Sequence, residues 1–311
     1  MSELWSVVIV NWNGLRFMGP CLDALGRQSY APFEVVVVDN GSTDGSLELL
    51  RARAAEIVLV EAGENLGFAE GCNRGIAHCR GSWVCMLNND TVADERWLEA
   101  LVRAAATAPA DCGMLQSLQL YFDRPERINS AGIRLRPDGG GSDRGDGEPR
   151  DGVREPEPIF SPTAGAAAYR RSMLEHVRLD TGYFDRRHFL YFEDMDLGWR
   201  AQLSGFTART VPDSIVYHHY HGSTDRVSSA DLAAMVIINR WRTLAKNASF
   251  RFFATASLRG AWRLWPLWRQ GGTAALRRLG AALGESLASR RRVSELCTSD
   301  RRAIEKRWVD R

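Results

Sequence analysis

Four short apolar runs, Ser6 to Val10, Glu34 to Val38, Ile57 to Val60 and Trp83 to Leu87, alternate with helix-like stretches around Met18 to Gln28, Ser46 to Glu56 and Ala69 to Cys79. Runs this short, apolar throughout and rich in β-branched residues read as strands buried on both faces. A βαβαβαβ order demands a parallel sheet with right-handed crossovers, so the fold class is α/β: a Rossmann-like, mostly parallel sheet with flanking helices. Ligand sites of such sheets lie at the carboxyl ends of the strands. Asp39 closes the second run, and Asn88-Asn89-Asp90 comes after the fourth. The polar turn from Asp39 to Gly45 offers Ser42, Thr43 or Asp44 as a cap for the next helix.

Further along, a helix is expected over Arg96 to Ala106, before Met114 to Leu120, whose register the sequence leaves open. Residues 137–158 carry Gly, Pro and charged residues without an apolar period and read as a flexible loop, either a flap or an insertion. Thr163 to Ala168 looks too rich in small residues for a bulky core strand, while Gly165 suits a close backbone approach to a ligand.

With 311 residues, 45% of them hydrophobic, the chain can bury a full core, and disorder is excluded. Six cysteines without a CxxC pair suggest a reduced interior and a cytoplasmic setting. No basic leader precedes the first strand and no run of roughly 18 apolar residues occurs, so neither a secretion signal nor a membrane span is expected. Net charge is unevenly spread. Residues 239–311 hold 17 Lys and Arg against 5 Asp and Glu, whereas residues 1–238 hold 23 against 33. The expected division is therefore a catalytic domain at 1–238 and a basic, aromatic helical region at 239–311.

Several polar residues carry chemistry. Asp39 can accept hydrogen bonds from a nucleobase or a ribose, or simply stabilise its turn; Asn11 and Asn13, ending the first strand, share that ambiguity. Asp90 can reach a divalent cation whose other ligands are diphosphate oxygens and water, or cap a helix from Thr91 onward. The aromatic run Phe189 to Phe192 leads into Glu193, Asp194 and Asp196, acids whose apolar surroundings raise the pKa as a general base requires. If a helix begins near Glu193, Asp194 and Leu197 share one face while Asp196 and Arg200 pair at i,i+4, so that one acid is structural and another faces a cleft, although an acidic helix start alone would explain the cluster. Of His218, His219 and His221, strand alternation makes one metal ligand more plausible than three, and zinc is disfavoured because no thiolate lies near.

Together these segments resemble the family 2 inverting glycosyltransferases of GT-A fold, in particular their bacterial rhamnosyltransferase-like branch. The resemblance runs from about Ser6 to Lys246. It rests on Val7 to Asn13, Val38 to Asp44, Asn65 to Ala69 with Gly71, Asn73 and Gly75, Leu87 to Asp90, Phe192 to Leu197, and Tyr217-His218 with Gly222-Ser223. It implies that Asp39 binds the nucleobase, that Asn11 and Asn13 line the nucleotide pocket, and that Asn73 or Arg74 lies near the ribose or diphosphate. It makes Asp90 the metal-binding residue of a DxD-type motif, with Asn88 in place of the first aspartate and Asn89 between them. Asp194 becomes the catalytic base, Glu193 its neighbour orienting the acceptor, and His218 a second metal ligand. The implied reaction transfers a sugar, rhamnose among the candidates, from dTDP-rhamnose or a UDP-sugar with Mg²⁺ or Mn²⁺. The implied acceptor is a lipid-linked or other glycan used in cell-surface polysaccharide synthesis.

The tail interleaves Phe250, Phe252, Phe253, Trp262, Trp265 and Trp268 with Arg251, Arg259, Arg263 and Arg269. That composition suits a helix lying on an anionic membrane, hence a peripheral position on the inner face of the cell membrane, but equally aromatics packed on the catalytic domain or in a homodimer. A nucleotidyltransferase is a weaker alternative, since no glycine-rich basic loop succeeds the first strand. An inactive sugar- or nucleic-acid-binding protein is weaker still, given Asp39, Asp90, Asp194 and His218.

Overall fold

The computed structural model describes residues 3–219 and 229–309. Strands β1 (Trp5–Asn11), β2 (Phe33–Asp39), β3 (Val58–Glu61) and β4 (Trp83–Leu87) lie parallel in the order β4-β1-β2-β3, connected by α1 (Leu15–Gly26), α2 (Ser46–Ala52) and α3 (Phe68–His78). Every residue of β1 and β4 is buried, which is why these strands carry no polar alternation. Val7, Ile9 and Val37 share one apolar cluster with Met18, Leu22 and Leu25 of α1. Val8, Val10 and Val36 face the other way, onto Ala69, Cys72 and Ile76 of α3. A Cβ at Gly75 would stand 2.3 Å from a Val8 methyl, so glycine there sets how closely α3 approaches the sheet. None of the offered caps takes the N-cap position of α2, which is Gly45; Asp44, one residue earlier, accepts from Ser46 N through its Oδ1.

Beyond β4 come β5 (Thr91–Ala93), α4 (Trp97–Thr107), β6 (Cys112–Tyr121), β7 (Ile128–Ser130), β8 (Ile133–Leu135), β9 (Gly141–Asp143), β10 (Pro158–Ile159), β11 (Ala166–Arg170), α5 (Arg171–His176), α6 (Glu193–Leu203) and β12 (Thr207–His218). Here the sheet becomes mixed. β11 runs antiparallel between β4 and β6, β12 lies parallel to β6, and β10 is the antiparallel edge. The alanines of β11 thus form a central strand, contrary to expectation; Ala166, Ala167 and Ala168 are wholly buried where Trp97, Leu115, Met86 and Met114 supply the bulk.

Residues 137–158 also depart from the loop reading. They include β9, paired with β8, a 3-10 turn at Arg150–Gly152 and the first residue of β10. Gly139, Gly145 and Gly147, all at positive φ, encode tight turns, so the composition that suggested flexibility is turn chemistry.

Four helices complete the chain: α7 (Ser229–Asn247), α8 (Phe250–Gly260), α9 (Leu264–Leu296, kinked at Gly272) and α10 (Arg301–Trp308). The division drawn after residue 238 falls inside α7, and the helical region shares a core with the rest. Met195, Trp199 and Leu203 of α6 pack with Leu244, Phe252, Ile304 and Trp308, and Trp308 Nε1 donates to Gln202 Oε1 at 3.1 Å.

Candidate active site

A cavity of about 480 Å³ opens at the carboxyl ends of β1 and β4, within the usual range for small-molecule sites. Asn88, Asn89, Asp90, Glu193, Asp194 and His218 all line it. Gly165 lines it as well, and Asn88 N donates to Gly165 O at 2.9 Å, keeping the turn after β4 tied to β11. Asn89 Nδ2 donates to Asn11 Oδ1 at 2.9 Å.

The antiparallel pairing of β5 with β12 sets His218 opposite Thr91, next to Asp90. His218 Nε2 lies 3.2 Å from Asp90 Oδ1, and His218 Nδ1 lies 2.8 Å from Asn129 Oδ1. Because an amide oxygen only accepts, Nδ1 carries the proton there, which turns Nε2 toward the buried Asp90 carboxylate. An imidazole nitrogen and a carboxylate oxygen at this distance are the residue types and spacing that can share a divalent cation, with Asn129 as the outer partner that orients the imidazole. His219 points elsewhere, its ring stacked on Phe122 with centroids 3.7 Å apart, and burial lowers its pKa. His221 lies outside the described residues.

On the opposite wall stands the start of α6. Phe189, Tyr191 and Phe192 all adopt positive φ, between 59° and 73°, a conformation costing non-glycine residues on the order of 1 kcal/mol each or more. Asn239 of α7 holds this strained turn, its Nδ2 lying 2.7, 3.0 and 3.0 Å from the carbonyl oxygens of His188, Leu190 and Tyr191. The turn delivers Asp194 into the cavity. Asp194 Oδ1 accepts from Met195 N at 2.7 Å and Oδ2 from Ala164 N at 3.2 Å. Burial outweighs these two bonds and, with the charge of Asp143 adding to it, pushes the carboxyl up to about 6. Glu193 is more deeply buried, and burial together with Asp194 holds its pKa well above the carboxylate range. Burial thus raises both carboxyls, and each favours its proton more than an exposed acid would.

Asp196 faces away from the cavity, as the i,i+4 reading required, with Arg200 Nε 3.0 Å from its Oδ2. Asp185, His188 and Asp196 could geometrically surround a metal, but Lys246 already supplies the cation: its Nζ bonds Asp185 and lies 3.1 Å from Asp196 Oδ1. This buried cluster is structural.

The residues expected around a nucleotide divide. Asn88 and Asn89 reach the cavity; Asn11, Asn13, Asp39, Asn73 and Arg74 do not line it. Asp39 Oδ1 accepts from Asn11 Nδ2 and its Oδ2 from Ser42 N, both at 3.0 Å, the turn-stabilising alternative. Asn11 Nδ2 also donates to Ser42 and Ser46, while Asn13 accepts from Thr43 N at 2.7 Å. Asn73 is drawn off by the backbone of Phe184, donating to its O and accepting from its N, and Arg74 pairs with Glu70 on the same helix. The sequence reading missed Asn129, Asp143, Asn239 and Lys246. The last two share one face of α7, a spacing of seven that was visible but read as part of a basic tail.

Residues 6–178 match the family model described as Glycosyl transferase family 2, a span that ends before Asp194. An N-acetylglucosaminyl-diphospho-decaprenol L-rhamnosyltransferase of Mycobacterium tuberculosis is 27% identical over 89% of this chain and 92% of its own. An uncharacterized glycosyltransferase of Nostoc sp. is 26% identical over 72% of this chain and 67% of its own. Among solved structures, GalNAc-T7 with UDP, GalNAc and Mn²⁺ superposes with a TM-score of 0.71 at 15% identity, covering 98% of this chain and 56% of that one. A mannosyltransferase of Pyrobaculum calidifontis in complex with GDP-Man and Mn²⁺ gives 0.57 at 19% identity, covering 99% and 88%. These likenesses establish the GT-A fold.

Proposed function

The chain belongs to glycosyl transferase family 2, and on that premise we propose that it moves a sugar, with inversion, from a nucleoside-diphosphate donor to the hydroxyl of a lipid-linked glycan. One observation carries the reading: a single cavity brings a carboxylate of raised pKa, Asp194, together with the Asp90 and His218 pair. Asp194 takes the acceptor proton as the hydroxyl attacks the anomeric carbon, and the bond to the nucleoside diphosphate breaks in the same displacement. Asp90 and His218 are the residues that would hold Mg²⁺ or Mn²⁺. Such an ion supplies charge neutralisation for the departing diphosphate. Glu193, whose pKa burial and the neighbouring Asp194 raise, suits orienting the acceptor better than nucleophilic attack, in keeping with a single displacement. Asn88 and Asn89 fit the donor side, with Asp39 and Asn11 bracing the turn behind them. The rhamnosyltransferase likeness favours dTDP-rhamnose as donor, and UDP-sugars remain the second choice.

Asp90 is a lone charge, so metal and nucleotide should bind cooperatively. UDP or dTDP should raise the melting temperature with Mn²⁺ and far less in EDTA, and Asp90→Ala should weaken the metal-dependent binding by about tenfold or more. Stabilisation by polynucleotide alone would support a binding protein instead.

The tail supports a membrane-surface partner. Phe250, Leu258, Trp262, Trp265 and Trp268 are 47–79% exposed, at spacings of three to eight that track one side of α8 and the start of α9, within the region bearing 17 basic residues. Among the described residues no helix is long and apolar enough to cross a membrane. Vesicles rich in phosphatidylglycerol should float the protein, and serine at positions 262, 265 and 268 should abolish flotation. Equal flotation of that variant would count against surface docking.

A further inference from the structure

One turn of α7 beyond the cavity lies a guanidinium with no counter-charge of its own. Val236 lines the cavity and Arg240 sits at i+4 from it, on the same stripe of the helix. Arg240 is 2% exposed, and among the described residues its Nε, Nη1 and Nη2 all lack a hydrogen-bond partner. An unpaired buried charge is among the costliest features a fold can keep. Its surroundings show what it is kept for.

Asp138, in the turn between β8 and β9, accepts from Arg263 Nη2 at 3.0 Å, Arg136 Nη2 at 3.4 Å and Gly140 N. One carboxylate therefore bonds two guanidinium groups and is the acid whose charge also acts on Arg240, while Arg263 Nε is itself unpartnered. Burial lowers the pKa of Arg240, Asp138 raises it, and Arg263 and Arg136 lower it further, so all three groups act on it. Even so, arginine stays protonated. Arg136 and Arg263, with side chains 46% and 26% exposed, are the solvent-facing members of this cluster and Arg240 the buried one. A Cβ on Gly260 would stand 1.6 Å from Arg240 Nη2; only a glycine at the end of α8 leaves the guanidinium room.

We propose that Arg240, Arg263 and Arg136 form a second binding site, for the phosphate or diphosphate of an amphiphilic lipid. The planar donor forks suit phosphate oxygens, and a dianion balances the two positive charges that Asp138 leaves over. The lipid assignment comes from position. Arg263 lies 4.6 Å from the ring of Trp262, and Trp262 and Trp265 are 64% and 62% exposed, so the cluster borders the apolar stripe. A diphosphate seated here would hold its attached sugar toward the cavity wall formed by Val236, and β9, whose turn carries Asp138, continues into that cavity through Asp143. The inference deepens the lipid-linked acceptor reading and rests on it.

Pyrophosphate and farnesyl diphosphate in EDTA test the site while the metal-dependent donor site is silent. Both should raise the melting temperature of the wild-type protein; Arg240→Met and Arg263→Gln should each bind them at least about tenfold more weakly, with UDP and Mn²⁺ binding unchanged. Without ligand, Arg240→Met should be no less stable than the wild type, because a costly charge is gone. A variant that melts lower yet still responds to pyrophosphate would show a structural arginine and overturn the proposal. Unaltered binding in Arg263→Gln would also overturn it. Farnesyl diphosphate binding about tenfold tighter than pyrophosphate assigns the anion to a lipid; equal affinities overturn the lipid assignment. Failure of the wild type to bind UDP with Mn²⁺ would instead sink the transferase reading on its own.

Discussion

Asp194→Asn should lower sugar transfer by about 10²- to 10⁴-fold, the usual worth of a general base, while metal-dependent nucleotide binding stays close to that of the wild type. The split matters, because a merely structural carboxylate would lose both together. In the wild type kcat/KM should fall about tenfold per pH unit below about 6, where burial has placed the Asp194 carboxyl. Stability should move the other way. A folded-state pKa above the unfolded value means the folded protein binds the proton more tightly, so this contribution is fully present below about 4 and is lost as pH rises through about 6. Asparagine removes that slope but adds a fixed cost, since its amide group must face either Met195 N or Ala164 N, both donors. The sign of the difference at one pH is therefore uninformative, and its drift is decisive. The melting temperature of Asp194→Asn relative to wild type should rise steadily between pH 4 and 7. A flat difference with full activity would remove Asp194 from the mechanism.

How much the sequence revealed, and how much it hid, depends on the range of the interactions. Strand and helix placement in the first ninety or so residues depends on local apolar periodicity, and β1 to β4 appear where the valine-rich runs stand. The sequence alone offered Asp90 and one of three histidines as metal-binding types at strand ends; the pairing of Asp90 with His218, 128 positions apart, came only from the family resemblance. Antiparallel β11 was not legible, because alanine records neither strand nor helix until its bulky neighbours are known. Asp39 shows the same limit in reverse. Its turn chemistry was readable, yet which of its two roles dominates depends on Asn11 and Ser42 arriving from either side. Residues 137–158 misled because glycine-rich turns and disorder share a composition; the difference lies in pairing with β8, a partner that composition does not name. Asn239 and Lys246 were hidden by charge counting, which treated their helix as a basic surface.

Lys246→Met should cost about 3–5 kcal/mol, the penalty of breaking a buried pair from one side, and lower the melting temperature on the order of 10 °C. Lys246, Asp185 and Asp196 are fully buried, so neither water nor salt can replace the lost ammonium. Burial alone would raise the Asp185 pKa; the charges of Lys246 and His188 and the hydrogen bonds overcome it and hold that carboxyl far below its ordinary range. A depressed pKa stabilises the fold above the unfolded value of about 4 and loses that effect as pH falls below it. In Lys246→Met the largest opposition to the burial effect at Asp185 is gone, which shifts its carboxyl toward the protonated form. The gap between wild type and variant should accordingly narrow as pH falls from 7 to 4. Neutralising the orphaned acid offers the sharper check: Lys246→Met with Asp185→Asn should recover much of the loss, since Arg200 and Asn247 still satisfy Asp196. Recovery by Mn²⁺ in the single variant would mean that Asp185, His188 and Asp196 can trade a lysine for a metal. Recovery by the second substitution, with no response to Mn²⁺, would establish the ammonium as the cation that fastens α7 to the loop and helix presenting Asp194.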